Sequence, residues 1–406
     1  MQKRVVITGM GIWSCLGTSL DEVTQSLRAG KSGIIYDPEY KALGYRSALH
    51  GSIPAPDLKN LLGRRERLQM SDQAEFAYMS TLQALKQANM HADYIAQNEV
   101  GCLFGNDSSA KASIQSGDIA RAKKDNTLIG SAAIFQSMNC TITMNLATIF
   151  KLRGVNFTVS AACSSGSHAV GIASLLIKMG LQKAVICGGG QEMNPYAFAT
   201  FDALSAFSTR ESEPTKASRP FDKNRDGLIP GGGAATVILE EYESAVKRGA
   251  PILAEVMSYG FSSNGDHISG SNPEGQARSI HHALEAAGMQ AKDIDYINAH
   301  ATSTQGGDYA EAQAIGTVFG ATKPLVSSTK SMTGHECWMA GASEIVYSTL
   351  MMQNDFVAPN INFETPDDAS AKLNITTQAT DKKINAYLSN SFGFGGTNSS
   401  IIVKKV

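Results

Sequence analysis

The chain has 406 residues, 43% hydrophobic and 7% aromatic, enough for one large domain or two intimately packed ones. With 35 Lys and Arg against 37 Asp and Glu, its formal net charge is −2, so no global field draws it to nucleic acid or an anionic membrane. Its six cysteines are far apart and form no CxxC pair, which argues for a reducing cytoplasm and against disulfides or a zinc site. The start, MQKRVVITGMG, reads as a strand rather than a targeting segment, and no apolar run reaches membrane-spanning length, so a soluble protein is expected.

Residues 4–8 read as a buried strand that runs into Gly9, Gly11 and Gly17. A dinucleotide reading is weak there, because Ser14 replaces the third glycine of GxGxxG and no clean acidic residue follows at the end of a second strand. Residues 20–29 read as a helix stopped by Gly30, and 64–88 as a second helical region opened by Arg64, Arg65 and Arg67. Residues 100–104 form a strand pattern ending in the loop GNDSS, at the strand end where open α/β sheets bind ligands. A second basic group, Arg121, Lys123 and Lys124, reads as solvated surface or as a receiver for an acidic partner.

The stretch TVSAACSSGSHAVGIASLLIKMG leads from a strand at 156–159 through small residues to Cys163 and then an apolar helix at 169–179. A thiol at a helix N-terminus has its thiolate favoured by free N–H groups and the helix dipole. Taken alone, a free cysteine is more often a small buried hydrophobe, so the reading depends on what else converges on it. A strand at 184–187 is closed by Gly188, Gly189 and Gly190, and the connection 209–233 is long enough to be functional. Within it Asp222, Asn224, Asp226 and Gly227 mimic a calcium loop, but Gly233 occupies the position of the bidentate Glu, so a turn is the better reading.

The second half restarts the alternation, with strands at 234–240, 252–259, 294–298, 325–327, 386–390 and 400–404. Helices are expected at 244–248, 276–287, 309–319 and 338–352, giving a layered α/β architecture in which both halves share the order strand, polar loop, helix. His281 and His282 are adjacent on a helix, point apart and make a poor metal pair. Three loops at strand ends carry groups that a thiol enzyme uses: His300 in HATST, Lys330 and His335 in KSMTGH, and the glycine-rich NSFGFGGTN. Singly each has a bland reading; together they are compatible with one pocket.

These residues carry a resemblance. SAACSSGSHA, SRPFDKNRDG, HATST, KSMTGH and NSFGFGGTN occur in an order and spacing similar to the β-ketoacyl-acyl-carrier-protein synthases with a Cys, His, His triad, of the thiolase-like condensing-enzyme superfamily. The resemblance spans essentially the whole chain. It implies a thiolase-like α/β fold, two similar βα halves in α-β-α-β-α layers, with 1–250 carrying Cys163 and 251–406 carrying His300, Lys330 and His335. It implies a decarboxylating Claisen condensation in fatty-acid elongation, acyl-Cys163 plus malonyl-carrier protein giving β-ketoacyl-carrier protein. No cofactor or metal is implied, because phosphopantetheine arrives on the carrier protein.

By the same resemblance His300 and His335 would stabilise the enolate, and Lys330, paired with Glu344, would set the pocket's electrostatics. Asp308 and Glu311 would be supporting carboxylates, and Thr302 and Thr304 would bind the pantetheine arm. The backbone N–H groups of Cys163 and Phe394 would form the oxyanion hole, with Phe394 also gating the acyl pocket. Asn106, Asp107, Ser108, Phe201 and Trp338 would line that pocket, and Arg65, Arg121, Lys123 and Lys124 would dock an acidic acyl carrier protein. A homodimer sharing the edge near Phe157 is implied, a heterodimer with a related subunit being the alternative. The physics agrees: thioester exchange needs oxyanion donors, and a neutral imidazole offers an N–H without a full buried charge.

The chain departs from the family pattern at Ala301, in GHECWMAG, where Glu336, Cys337, Trp338 and Met339 stand where small residues are common, and at Asn106 and Asp107. A saturated alkyl chain against an unpaired amide or carboxylate is costly, so a short, polar or polyunsaturated acyl group is expected. The competing readings are a ketosynthase of a specialised polyketide or aryl-polyene-type pathway, a non-catalytic chain-length-factor partner, and a thiol hydrolase. Cys163 with both histidines disfavours the partner reading.

Overall fold

The computed structural model describes residues 3–406, and its main sheet holds two five-strand units of the same topology, with a short eleventh strand, Asn374–Ile375, at the outer edge of the second. The first comprises β1 (Val5–Trp13), β2 (Gly101–Gly105), β3 (Asn156–Val159), β4 (Ala184–Gln191) and β5 (Gly233–Glu241), in spatial order β3-β2-β4-β5-β1. The second comprises β6 (Ala254–Ser263), β7 (Tyr296–Asn298), β8 (Leu325–Ser327), β9 (Ala386–Gly393) and β10 (Thr397–Lys404), in order β8-β7-β9-β10-β6. In each unit the second strand pairs in parallel with the third and fourth, and the fifth pairs antiparallel with the fourth and first. The duplicated order expected from the sequence is therefore present strand for strand. An antiparallel junction of Val6 with Glu255 and Ile7 with Ala254 joins the units into one sheet.

Both faces of each unit are covered, which is why the strands read as continuous apolar runs. On one outer face lie α1 (Asp72–Gln87) and α2 (Thr141–Phe150), sharing a core with Cys102, Phe104, Ile186 and Ile238. On the other lie α4 (Pro273–Ala287) and α5 (Gln305–Phe319), against Ile297, Leu388 and Ile402. Between the units sit α3 (Ser165–Lys178) and α6 (Ala340–Gln353), whose Val170, Ile177 and Ile345 share a core with Ile7, Val237, Tyr296 and Val403. In α6 every residue from Ala340 to Met352 is buried, so it carries no polar face.

Several local expectations are corrected. The helical region 64–88 is two helices, Arg64–Gln69 and α1, broken where Met70 turns extended. Gly188, Gly189 and Gly190 do not close β4 but lie within it, and a Cβ on Gly188 would come within 2.0 Å of the Ala235 carbonyl oxygen. Gly9 and Gly11 likewise lie inside β1 rather than in a phosphate-binding turn. A Cβ on them would approach the carbonyl oxygens of Ala84 and Ser80 to 2.2 and 1.8 Å, so these glycines let α1 lie directly on the sheet.

Candidate active site

Strand β3 leads into a 3-10 turn, Ala162–Ser164, and then into α3, so Cys163 sits at the last turn before the helix and is 5% exposed. Ala162 holds φ at +46°, a conformation costing of order 1–3 kcal/mol that the surroundings must enforce. Ser164 Oγ lies 3.0 Å from the carbonyl oxygen of Ser391 and 2.9 Å from that of Thr397, where its single proton ties the nucleophile turn to the glycine-rich loop. That loop passes through Gly395 and Gly396 at φ of +77° and +73°, which brings Phe394 over Cys163. Burial pushes the Cys163 thiol up to about 11, against the pull of the Lys330 charge and the backbone N–H groups of Phe394 and Cys163. Desolvation therefore outweighs the Lys330 charge and these N–H donors, and the resting thiol keeps its proton near pH 7.

His300 follows β7 and is held through its main chain. Its N–H donates to Glu311 Oε1 at 2.9 Å and that of Ala301 to Oε2 at 2.7 Å, while Asn390 Nδ2 donates to Oε1 at 3.2 Å. Asp308 accepts from the N–H groups of Phe221, Thr302 and Ser303 at 2.8, 2.8 and 3.1 Å. Thus Glu311 and Asp308, both buried, brace the HATST loop from α5, and burial pushes them up to about 7 and about 6. Thr302 and Thr304, with hydroxyl oxygens 3.0 Å apart, line the cavity beyond His300.

His335 is held by its N–H donating to the Ile229 carbonyl at 2.6 Å and its carbonyl accepting from Gly231 N at 2.8 Å. The His300 and His335 rings stand edge to face, 87° apart with centroids 5.3 Å distant. Nδ1 of His300 and both ring nitrogens of His335 are buried without a hydrogen-bond partner among the described residues. Burial, then the Lys330 charge and His335, hold His300 well below its ordinary pKa; burial and Lys330 do the same to His335. Both imidazoles are therefore neutral near pH 7. Lys330 pairs with Glu344 on α6, both side chains buried, and burial raises the Glu344 pKa while Lys330 pulls it down.

Cys163, His300, His335 and Phe394 share the wall of one cavity of about 510 Å³ with Thr302 and Phe201. Phe201 stacks at 6.2 Å on both Phe207 and Phe394. Lys330 and Glu344 lie behind this wall rather than on it. Asn106, Asp107, Ser108 and Trp338 do not line it either. The Asn106 amide donates to Asn139 O at 2.8 Å and to Ser109 Oγ at 3.2 Å, and Asp107 accepts from Ser160 Oγ. Protein partners thus meet the polar demand of Asp107 and of the Asn106 N–H groups, while Asn106 Oδ1 stays buried without a partner among the described residues. Ser108 Oγ accepts from Trp338 Nε1 at 3.2 Å.

Arg65, Arg121, Lys123 and Lys124 are exposed, Arg121 being paired with Asp118. The short helix Ala133–Ser137 packs against both the helix of Arg65 and the helix Ala110–Lys123. The long connection 209–233 carries the calcium-loop mimic and the SRPFDKNRDG motif. In it Asp222 accepts from Arg219 and from the N–H groups of Asn224, Glu364 and Thr365, and Arg225 donates to Asp367 at 2.7 Å. The SRPFDKNRDG motif therefore clamps the HATST loop to the segment near residue 365. Phe392 and Asn398, in the cavity wall, were not singled out although they lie within NSFGFGGTN.

Residues 2–245 match the beta-ketoacyl synthase N-terminal domain, and 253–364 the beta-ketoacyl synthase C-terminal domain. The chain belongs to the beta-ketoacyl synthase family. It is 41% identical to 3-oxoacyl-[acyl-carrier-protein] synthase 1 of Haemophilus influenzae, with 99% of each chain covered. A crystal structure of a beta-ketoacyl synthase from Burkholderia phymatum superimposes with a TM-score of 0.94 at 36% identity, covering all of both chains. A type II polyketide-synthase acyl-carrier protein in complex with its ketosynthase is similar at a TM-score of 0.89 and 29% identity, again over both full chains. These likenesses support the thiolase-like fold and the condensing activity. No helix of the described residues is long and apolar enough to cross a membrane.

Proposed function

We propose that this beta-ketoacyl synthase joins an acyl chain carried on Cys163 to malonyl-carrier protein, giving a β-ketoacyl-carrier protein in fatty-acid chain elongation. The observation that carries this reading is the pair of neutral, unpartnered imidazoles beside a buried thiol. Buried polar atoms without partners are uncommon, and two neutral imidazoles on the cavity wall each have one N–H to offer to charge that develops during reaction.

In the first step Cys163 Sγ attacks the acyl thioester carbonyl. The oxyanion is received by the backbone N–H groups of Cys163 and Phe394, and the pantetheine thiol leaves with the proton that Sγ gives up. The malonyl thioester then binds with its carbonyl oxygen toward His300 and His335. As the C–C bond to the carboxylate breaks and carbon dioxide departs, the electron pair moves into an enolate whose oxygen both N–H groups bind. The enolate carbon attacks the acyl carbonyl on Cys163, and collapse of the tetrahedral adduct releases the Cys163 thiolate, which regains a proton. Thr302 and Thr304 hold the pantetheine arm, and Lys330 with Glu344 fixes the charge behind the histidines.

The acidic carrier protein docks through Arg65, Arg121, Lys123 and Lys124, and phosphopantetheine comes with it, so the chain holds no cofactor of its own. The functional unit is a homodimer in the cytoplasm, paired along the open edge of β3, where Phe157 is 43% exposed. An exposed aromatic on an unpaired sheet edge supports that choice. Intact-protein mass spectrometry of wild type and Cys163→Ala with a panel of acyl-carrier proteins, followed by malonyl-carrier protein, tests the reading. Adducts on wild type alone, discharged as an elongated β-ketoacyl product, are expected; no adduct from any donor overturns it.

A further inference from the structure

We infer that Trp338 is the residue that sets acyl-chain length, restricting the enzyme to short acyl groups; this rests on the condensing reading above. The cavity changes character along its wall, from Thr302, Thr304 and Asn398 to Phe201, Leu204 and Leu228. An alkyl chain attached to Cys163 belongs on the apolar side. There Phe201 is backed by the Trp338 indole, with ring centroids 6.1 Å apart and planes 44° apart.

Trp338 is 7% exposed and packs in one buried cluster with Cys163, Phe198, Phe207 and Leu228. Cys163 and the indole thus compete for the same apolar volume. Three features stop the indole from yielding. Its N–H donates to Ser108 Oγ at 3.2 Å, and Gln73 Nε2 donates to the Ser108 carbonyl at 3.4 Å, so its anchor is itself anchored. Its main chain is wedged: a Cβ built on Gly166 or Gly189 would come within 2.9 or 2.7 Å of the Trp338 carbonyl oxygen. Finally, Phe201 cannot swing away freely, because it stacks on Phe207 at 6.2 Å with planes 10° apart.

A growing saturated chain therefore meets a close-packed aromatic block, and close-packed cores do not admit extra methylenes without strain. Space, rather than the polarity of Asn106 and Asp107, is what limits the chain. Discrimination by a hydrophobic pocket is roughly tenfold or more for each methylene that does not fit.

The test compares initial rates of acyl-adduct formation on Cys163 from butyryl-, octanoyl- and dodecanoyl-carrier protein in wild type, Trp338→Ala and Trp338→Leu, by intact mass. Wild type is expected to take butyryl at least ~10-fold faster than dodecanoyl, and both variants to bring that ratio within ~3-fold. Trp338→Leu keeps an apolar filler, so the comparison stands if Trp338→Ala does not fold. Equal rates for butyryl and dodecanoyl in wild type overturn the inference without any variant. A wild-type preference that persists in the folded variants also overturns it. Either result leaves the condensing reading intact, whereas no adduct from any donor overturns both.

Discussion

Lys330 donates from Nζ to Glu344 Oε1, its side chain 2% exposed and that of its partner 1%. The pair joins the loop of His335 to α6, the helix buried between the two sheet units. A charge in such a place is tolerated only because it is paired.

Removing one member leaves the other buried and uncompensated. Lys330→Ala or Glu344→Ala is expected to lower stability by about 3–5 kcal/mol in urea unfolding, while the double variant Lys330→Met with Glu344→Leu recovers most of that loss. Turnover is expected to stay low in the double variant, since the field behind the histidines is gone. Full recovery of turnover together with stability would reduce the pair to a packing device.

The two imidazoles act after Cys163 is acylated. His300→Ala and His335→Ala are expected to reduce malonyl-carrier-protein decarboxylation by about 100-fold or more each, with acyl adducts still forming on Cys163. Adduct mass and carbon dioxide release, measured on the same samples, separate the two steps. Loss of the adduct itself in both variants would place the histidines in acyl transfer instead.

Glu336 stands next to His335 and accepts from Ser343 Oγ and from Tyr347 OH, the latter at 2.9 Å. Burial, against those bonds and the Lys330 charge, pushes its pKa from 4.5 to about 7. Between those values the folded chain holds a proton that the unfolded chain has released, so this group's contribution is full below pH 4.5 and is lost as pH rises toward 7. The slope is at most about 1.4 kcal/mol per pH unit. Glu336→Gln is expected to flatten that part of the stability profile; an unchanged profile in denaturant melts between about pH 5 and 7 would assign the slope to other carboxyls.

Gly11 faces α1 so closely that a Cβ would come within 1.8 Å of the Ser80 carbonyl oxygen. Gly11→Ala must push backbone from backbone and is expected to cost about 3 kcal/mol, whereas Gly306→Ala, which meets nothing within 4 Å, stays within about 0.5 kcal/mol. Differential scanning calorimetry of the two variants reads the contrast. Equal melting temperatures would mean that α1 can slide on the sheet.

Much of this was legible along the chain. The strand at 325–327 and the helix at 20–29 have the bounds their patterns predict, because Gly30 stops the helix in the left-handed conformation at φ +62°. Cys163, His300, His335 and Phe394 were readable as a set because each lies in a motif at a strand end, and parallel strands of one sheet bring such ends together. Local composition also marked many of the strands and helices, since periodicity and caps act over a few residues, but not the helices Ala110–Lys123, Thr141–Phe150 and Pro195–Ala203.

Only the tertiary structure decided what each group experiences. The helix terminus at Cys163 predicts a favoured thiolate, but desolvation is a property of everything packed around the sulfur, and it pushes the thiol up to about 11. Asn106 and Asp107 read as pocket walls until folding turned them to Asn139 and Ser160. Trp338 read as a residue that removes space, but its place behind Phe201 depends on Ser108, 230 positions away in the chain. Burial, partners and packing are sums over such distant contacts, and no window of sequence contains them.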